Sequence, residues 1–101
     1  MNKNTPAYLV GNYVIKDEPG LARYLEKVGP IVQKHGGKVI AFNRNVATLE
    51  GQAQPVLVIV EFPTLKDAEQ FYNSPEYAPV KPFRINATEG GFLISSEGFP
   101  S

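Results

Sequence analysis

Cysteine and tryptophan are absent from these 101 residues, and histidine and methionine occur once each. Without cysteine there are no disulfides, thiolate metal ligands or thiol nucleophiles, and the composition suits a reducing compartment. One histidine with scattered carboxylates makes no tetrahedral or facial ligand set within a chain, so no metal and no other cofactor is expected. Net charge is missing too. Ten basic and ten acidic side chains cancel without clustering, which removes the electrostatic footprint of a nucleic-acid binder or a membrane-surface protein. No apolar run approaches the roughly 20 residues that span a bilayer, and MNKNTPAYLV lacks the apolar core and small-residue cleavage site of a secretory leader. There is neither a glycine-rich phosphate loop before a helix nor a glycine-serine-glycine elbow. These absences predict a soluble cytoplasmic protein with no nucleic-acid or membrane partner, and its length predicts a single domain over residues 1–101.

What is present is organised around residues 55–77, PVLVIVEFPTLKDAEQFYNSPEY. Residues 56–60 are an unbroken aliphatic run, read as a central strand buried on both faces. Phe62-Pro63 ends it, Thr64 stands at an N-cap position with Asp67 three residues on, and Leu65, Ala68, Phe71 and Tyr72 form the apolar side of a helix. Ser74-Pro75 repeats the start signal and predicts a second short helix after a break at Asn73.

Upstream, residues 1–6 read as a loose lead-in and AYLVGNYVI as another central strand, apolar on both faces. Gly11 and Asn12 interrupt it, either bordering a pocket or serving a tight contact and an amide bond to a neighbouring strand. Asp17-Glu18-Pro19 starts a helix that reaches about His35, with Leu21, Leu25, Val28, Val32 and His35 on one stripe and Tyr24 and Ile31 beside it. Pro30 predicts a bend or restart at Gly29-Pro30, and Gly36-Gly37 supplies the left-handed end. Residues 38–49 read as a partly wet edge strand joined by the turn at Gly51 to the central strand as a hairpin. Residues 78–88, with Pro79 and Pro82, read as irregular, and Phe92, Leu93 and Ile94 as the core of a last strand.

The order βαββαβ predicts an α+β, ferredoxin-like domain: a four-stranded antiparallel sheet with two helices on one face. The other face is then bare. VLVIV lacks the polar alternation a solvated face requires, which predicts homodimerisation through the sheet faces.

At KVGPIVQKHGGK, VEFPTLKDAEQFYNSPEY and Arg84 the chain resembles a small, mainly bacterial family known as domain of unknown function thirteen-thirty. The resemblance spans nearly the whole chain and implies the dimeric alpha-beta barrel superfamily, in which two ferredoxin-like protomers form a barrel. That superfamily hosts unrelated chemistries, so the resemblance selects no reaction.

Two catalytic candidates stand out. His35 is the only histidine and sits on the inward stripe, where it either transfers protons or caps the helix end. Glu61 ends a central strand, where a desolvated carboxylate is either paired or poised as a base, with Arg84 its natural partner. Arg84 with Tyr13, Asn12, Tyr72 and Tyr77 forms the candidate substrate-binding set, and all are expected to converge on one cavity between helices and sheet. Two functions follow: a cofactor-independent enzyme moving a proton on a small carbonyl or carboxylate compound, or a non-catalytic module that binds such a ligand or interacts with a partner.

Overall fold

The computed structural model describes residues 5–99. The element order is β1 (Ala7–Ile15), α1 (Glu18–Lys34), β2 (Lys38–Asn43), β3 (Val56–Phe62), α2 (Leu65–Tyr72), α3 (Lys81–Ala87) and β4 (Thr88–Glu97). The four strands form one antiparallel sheet in the order β2-β3-β1-β4, which is the ferredoxin-like arrangement expected from the sequence. Residues 1–4 of the expected lead-in, and Pro100 and Ser101 at the other end, lie outside the described residues.

Alternation along the two central strands sorts their side chains. Leu9, Gly11 and Tyr13 pair with Val60, Val58 and Val56 on one face, while Tyr8, Val10 and Asn12 pair with Glu61, Ile59 and Leu57 on the other. The first face meets the helices: Leu9 and Phe62 join Leu21, Tyr24, Val28, Val32, Ala68, Phe71, Tyr77, Val80 and Ala87 in a single buried core. The second face carries no helix. On it Val10, Leu57 and Ile59 are half-buried, and Phe92 and Ile94 are 49% and 50% exposed.

Helix starts follow the sequence signals. Asp17 caps α1 by accepting from the Gly20 amide at 3.1 Å, and Thr64 caps α2 by accepting from the Asp67 amide at 3.2 Å. α1 runs through Pro30, which faces solvent, without restarting. α1 ends in a Schellman pattern. The Gly36 amide donates to the Gln33 carbonyl, the Gly37 amide to the Val32 carbonyl, and Gly36 takes φ +80°.

Three boundaries depart from expectation. β2 stops at Asn43 rather than near residue 49, because the Asn43 side chain accepts from the Asn45 amide at 2.7 Å and turns the chain. Ser74 does make the predicted cap bond, to the Tyr77 amide at 3.2 Å, but the segment after it winds as turns, and the helix begins only at Lys81. Residues 81–87, expected to be irregular, are helical because Pro82 lies in the first turn, where its missing N–H costs no helical bond.

Candidate functional site

Gly11 lies beside a cavity and allows close packing at its wall. A Cβ there would lie 3.0 Å from Val58 Cγ1, 3.2 Å from Tyr13 Cε2 and 3.5 Å from Leu93 Cδ1. All three neighbours line a space of about 70 Å³ between sheet and helices, and glycine lets these side chains close over the strand at its wall. Leu25, Val28 and Val32 of α1, Phe71 and Tyr72 of α2, and Val60 of β3 supply further apolar wall.

The polar groups of this cavity come from Arg84 and four tyrosines, Tyr13, Tyr24, Tyr72 and Tyr77. Arg84 is carried by α3, whose end is pinned in two ways. Thr88 Oγ1 donates to the Arg84 carbonyl at 2.8 Å, and the Ala87 carbonyl accepts from the Lys16 and Asp17 amides at 2.9 and 3.2 Å. Tyr24 and Tyr77 share a hydroxyl–hydroxyl bond of 2.9 Å across the gap between α1 and the turn before α3. Arg84 Nε lies 3.5 Å from the Tyr77 hydroxyl, a long contact, and among the described residues no carboxylate forms an ion pair with Arg84.

Burial pushes the Tyr24 phenol far above its ordinary value, and the adjoining Tyr77 hydroxyl adds to the shift. Burial also raises Tyr13, with the charge of Arg84 offsetting part of the effect. Burial works against the Arg84 cation, yet the phenol oxygens of Tyr77, Tyr24 and Tyr72 hold its pKa above the ordinary value. The cavity therefore presents one fixed positive charge and several phenol hydroxyls in an apolar enclosure. Such a set can hold a carboxylate, or a carbonyl oxygen on which negative charge develops. Among the described residues no group of three or more histidine, aspartate or glutamate side chains is placed to hold a metal ion, and no helix is long and apolar enough to cross a membrane.

Of the residues singled out from the sequence, Tyr13, Tyr72, Tyr77 and Arg84 line this cavity, and Asn12, His35 and Glu61 do not. The expected pairing of Glu61 with Arg84 is corrected. Glu61 shares the open face with Tyr8 and Lys38, and accepts a bond from the Tyr8 hydroxyl at 3.2 Å. An odd number of residues along a strand reverses the face, so Glu61 points away from the wall formed by Val58 and Val60. Asn12 also faces the open side and is fully engaged. Its Nδ2 donates to the carbonyls of Gln54 and Val56 at 2.9 and 2.8 Å, and its Oδ1 accepts from the Gln54 amide at 3.0 Å. That is the amide-to-neighbour reading of Asn12 rather than the pocket reading.

His35 occupies the C-cap of α1 and packs edge-on against Phe71, ring centroids 6.0 Å apart, so the phenyl ring stands between it and the cavity. Its Nε2 is buried without a hydrogen-bond partner among the described residues.

Residues 6–97 match the model of a known family, Domain of unknown function (DUF1330). The chain belongs to the DUF1330 family. Its fold is similar to that of a protein of unknown function from Rhodopseudomonas palustris, with TM-score 0.78 and 19% identity over 98% of this chain and 86% of that one. A DABB family protein with a ferredoxin-like fold from Mesorhizobium loti is similar at TM-score 0.64 and 14% identity, covering 95% and 99% of the two chains. A dimeric protein of unknown function and ferredoxin-like fold from Bacteroides fragilis is similar at TM-score 0.59 and 12% identity, covering 92% and 96%. At these identities the likenesses establish fold alone. No match was found among curated proteins.

In this DUF1330 chain the sequence reading missed Tyr24 as a site residue. The available signal was its place beside the inward stripe of α1, where an aromatic with a polar tip needs a buried partner. That partner, Tyr77, lies 53 positions away, and the sequence offers no way to pair them.

Proposed function

We propose that this chain is a homodimeric domain that binds a small organic anion in the cavity between helices and sheet. The ligand has an apolar body and a carboxylate, or an equivalent anionic oxygen, held by Arg84 and the tyrosines. The observation that carries this reading is Arg84: a half-buried guanidinium facing an apolar space with no carboxylate paired to it among the described residues. The phenol oxygens stabilise this cation without neutralising it, and a bidentate anion matches the fork geometry of the guanidinium. Binding rather than turnover is favoured, because a base serving this cavity is wanted and neither His35 nor Glu61 lines it.

Self-association rests on the uncovered sheet face, whose Val10, Leu57, Ile59, Phe92 and Ile94 form an apolar surface of the kind that marks an interface. The similar proteins from Bacteroides fragilis and Thermobifida fusca, described as dimeric, support the same reading.

Calorimetric titration with benzoate and octanoate, against their uncharged amides, tests the anion site. The acids are expected to bind and the amides not. Arg84→Gln is expected to weaken the acids by about 2 kcal/mol, the scale of a charge-assisted bond. Equal binding of acids and amides, or no effect of Arg84→Gln, would count against it.

A further inference from the structure

Resting on the reading of the cavity as an anion site, the geometry points to a ligand class: a monocarboxylate with a slender, unbranched hydrocarbon chain. Its carboxylate lies at Arg84 and its chain in the groove between α1 and β2. The inner cavity measures about 70 Å³ and the groove about 570 Å³. The two share Leu25, Val28, Val32, Val39 and Val58 as wall, so the cavity and the groove adjoin along these five side chains. Beyond the shared wall the groove reaches Phe42. Val39 and Phe42 pair with Val60 and Val58 on the helix side of the sheet, yet remain 54% and 40% exposed. An edge strand has thus turned apolar side chains toward a helix that does not cover them.

Charge and shape together select the occupant. The cation sits at the inner end, where space is smallest, whereas Gln33 and Lys38 are the only polar side chains among the groove's lining. A small anionic head fits the narrow part and an apolar tail fits the wide one. The neighbouring cleft between α2 and β4 shares Leu9, Tyr72 and Leu93 with the cavity, but Glu69, Asn73 and Ser95 line it. That lining opposes an anion and gains little from a hydrocarbon chain. A macromolecule resting on the groove would cover Val39 and Phe42 without reaching Arg84, and would leave the cation unneutralised.

The test is calorimetric titration of the full chain with hexanoate, octanoate, decanoate and dodecanoate, each below its micelle concentration. Wild type is compared with Phe42→Glu, Phe42→Ser and Arg84→Gln. Affinity is expected to rise on the order of threefold for each methylene that enters the groove. Both Phe42 variants are expected to flatten that rise, the serine serving as a charge-free check on the glutamate. Arg84→Gln is expected to weaken every acid by a similar factor and to keep the slope. An Arg84-dependent affinity that is equal for all lengths overturns the chain placement and leaves the anion site standing, as does a rise that both Phe42 variants leave intact. Absence of binding, or affinities that Arg84→Gln does not change, overturns the anion site and this inference with it.

Discussion

Asn12 shows how one buried amide fixes a loop. Its three bonds to the backbone of Gln54 and Val56 hold the end of the β2–β3 connection against β1. Asn12→Ala strands two carbonyls and an amide, and is expected to cost about 1–3 kcal/mol, read as a lower urea midpoint with an unchanged slope. The tyrosines give a second prediction at this scale. Tyr13 and Tyr24 are raised above 10.0 in the folded protein, so folding favours their neutral form. Their contribution is complete below the unfolded value of 10.0 and is lost as pH rises beyond it. Melting temperature is expected to fall above about pH 10, and less steeply in Tyr24→Phe. Residue types were legible in the sequence, since Arg84, Tyr13, Tyr72 and Tyr77 stand out as polar tips in apolar company. The direction of Glu61 was legible as well: alternation places it with Leu57 and Ile59, opposite Val58 and Val60. Which of those faces meets the helices depends on pairing with β1, and local pattern does not specify that.

Element ends were readable wherever a side chain or a glycine acts on its own neighbours. Asp17, Thr64 and Gly36 each do what their local chemistry predicts, because a cap needs only residues within four positions. The start of α3 was not readable, since the Val80 cap makes no side-chain bond and the preceding turns bond to Ser74 and Tyr77 instead. Gly91 shows the same limit in β4. It takes φ +71° where the register with β1 shifts between Asn12 and Val14, and a Cβ on it would collide with the Asn12 carbonyl oxygen. The glycine pair signals a special backbone in the sequence, but its partner is set by strand pairing. Gly91→Ala forces the two strands apart and is expected to cost about 3 kcal/mol or more, measured by denaturation. A loss below 1 kcal/mol would mean that the bulge repacks freely.

For the whole molecule, the βαββαβ order and the absence of polar alternation in VLVIV carried the fold and the bare sheet face. A cavity between helices and sheet with Arg84, Tyr13, Tyr72 and Tyr77 on it was expected; the place of Tyr24 and the exclusion of Asn12, His35 and Glu61 were not legible, because they depend on pairings between separate elements. The bare face leads to an assembly prediction. Ile59→Glu places a charge among half-buried apolar side chains of that face, so light scattering during size exclusion is expected to show a dimer for wild type and a monomer for the variant. A wild-type monomer would remove the reason for the apolar face. The cavity itself is tested most directly by NMR titration of the labelled protein with octanoate, following side-chain and backbone signals. Binding at the proposed site shifts Arg84 Nε–H and the rings of Tyr13, Tyr24 and Tyr77 together in wild type, and in Arg84→Gln the tyrosine shifts need a higher octanoate concentration. Shifts confined to the open face around Ile59 and Phe92, or tyrosine shifts that saturate at the same octanoate concentration in Arg84→Gln, would contradict it.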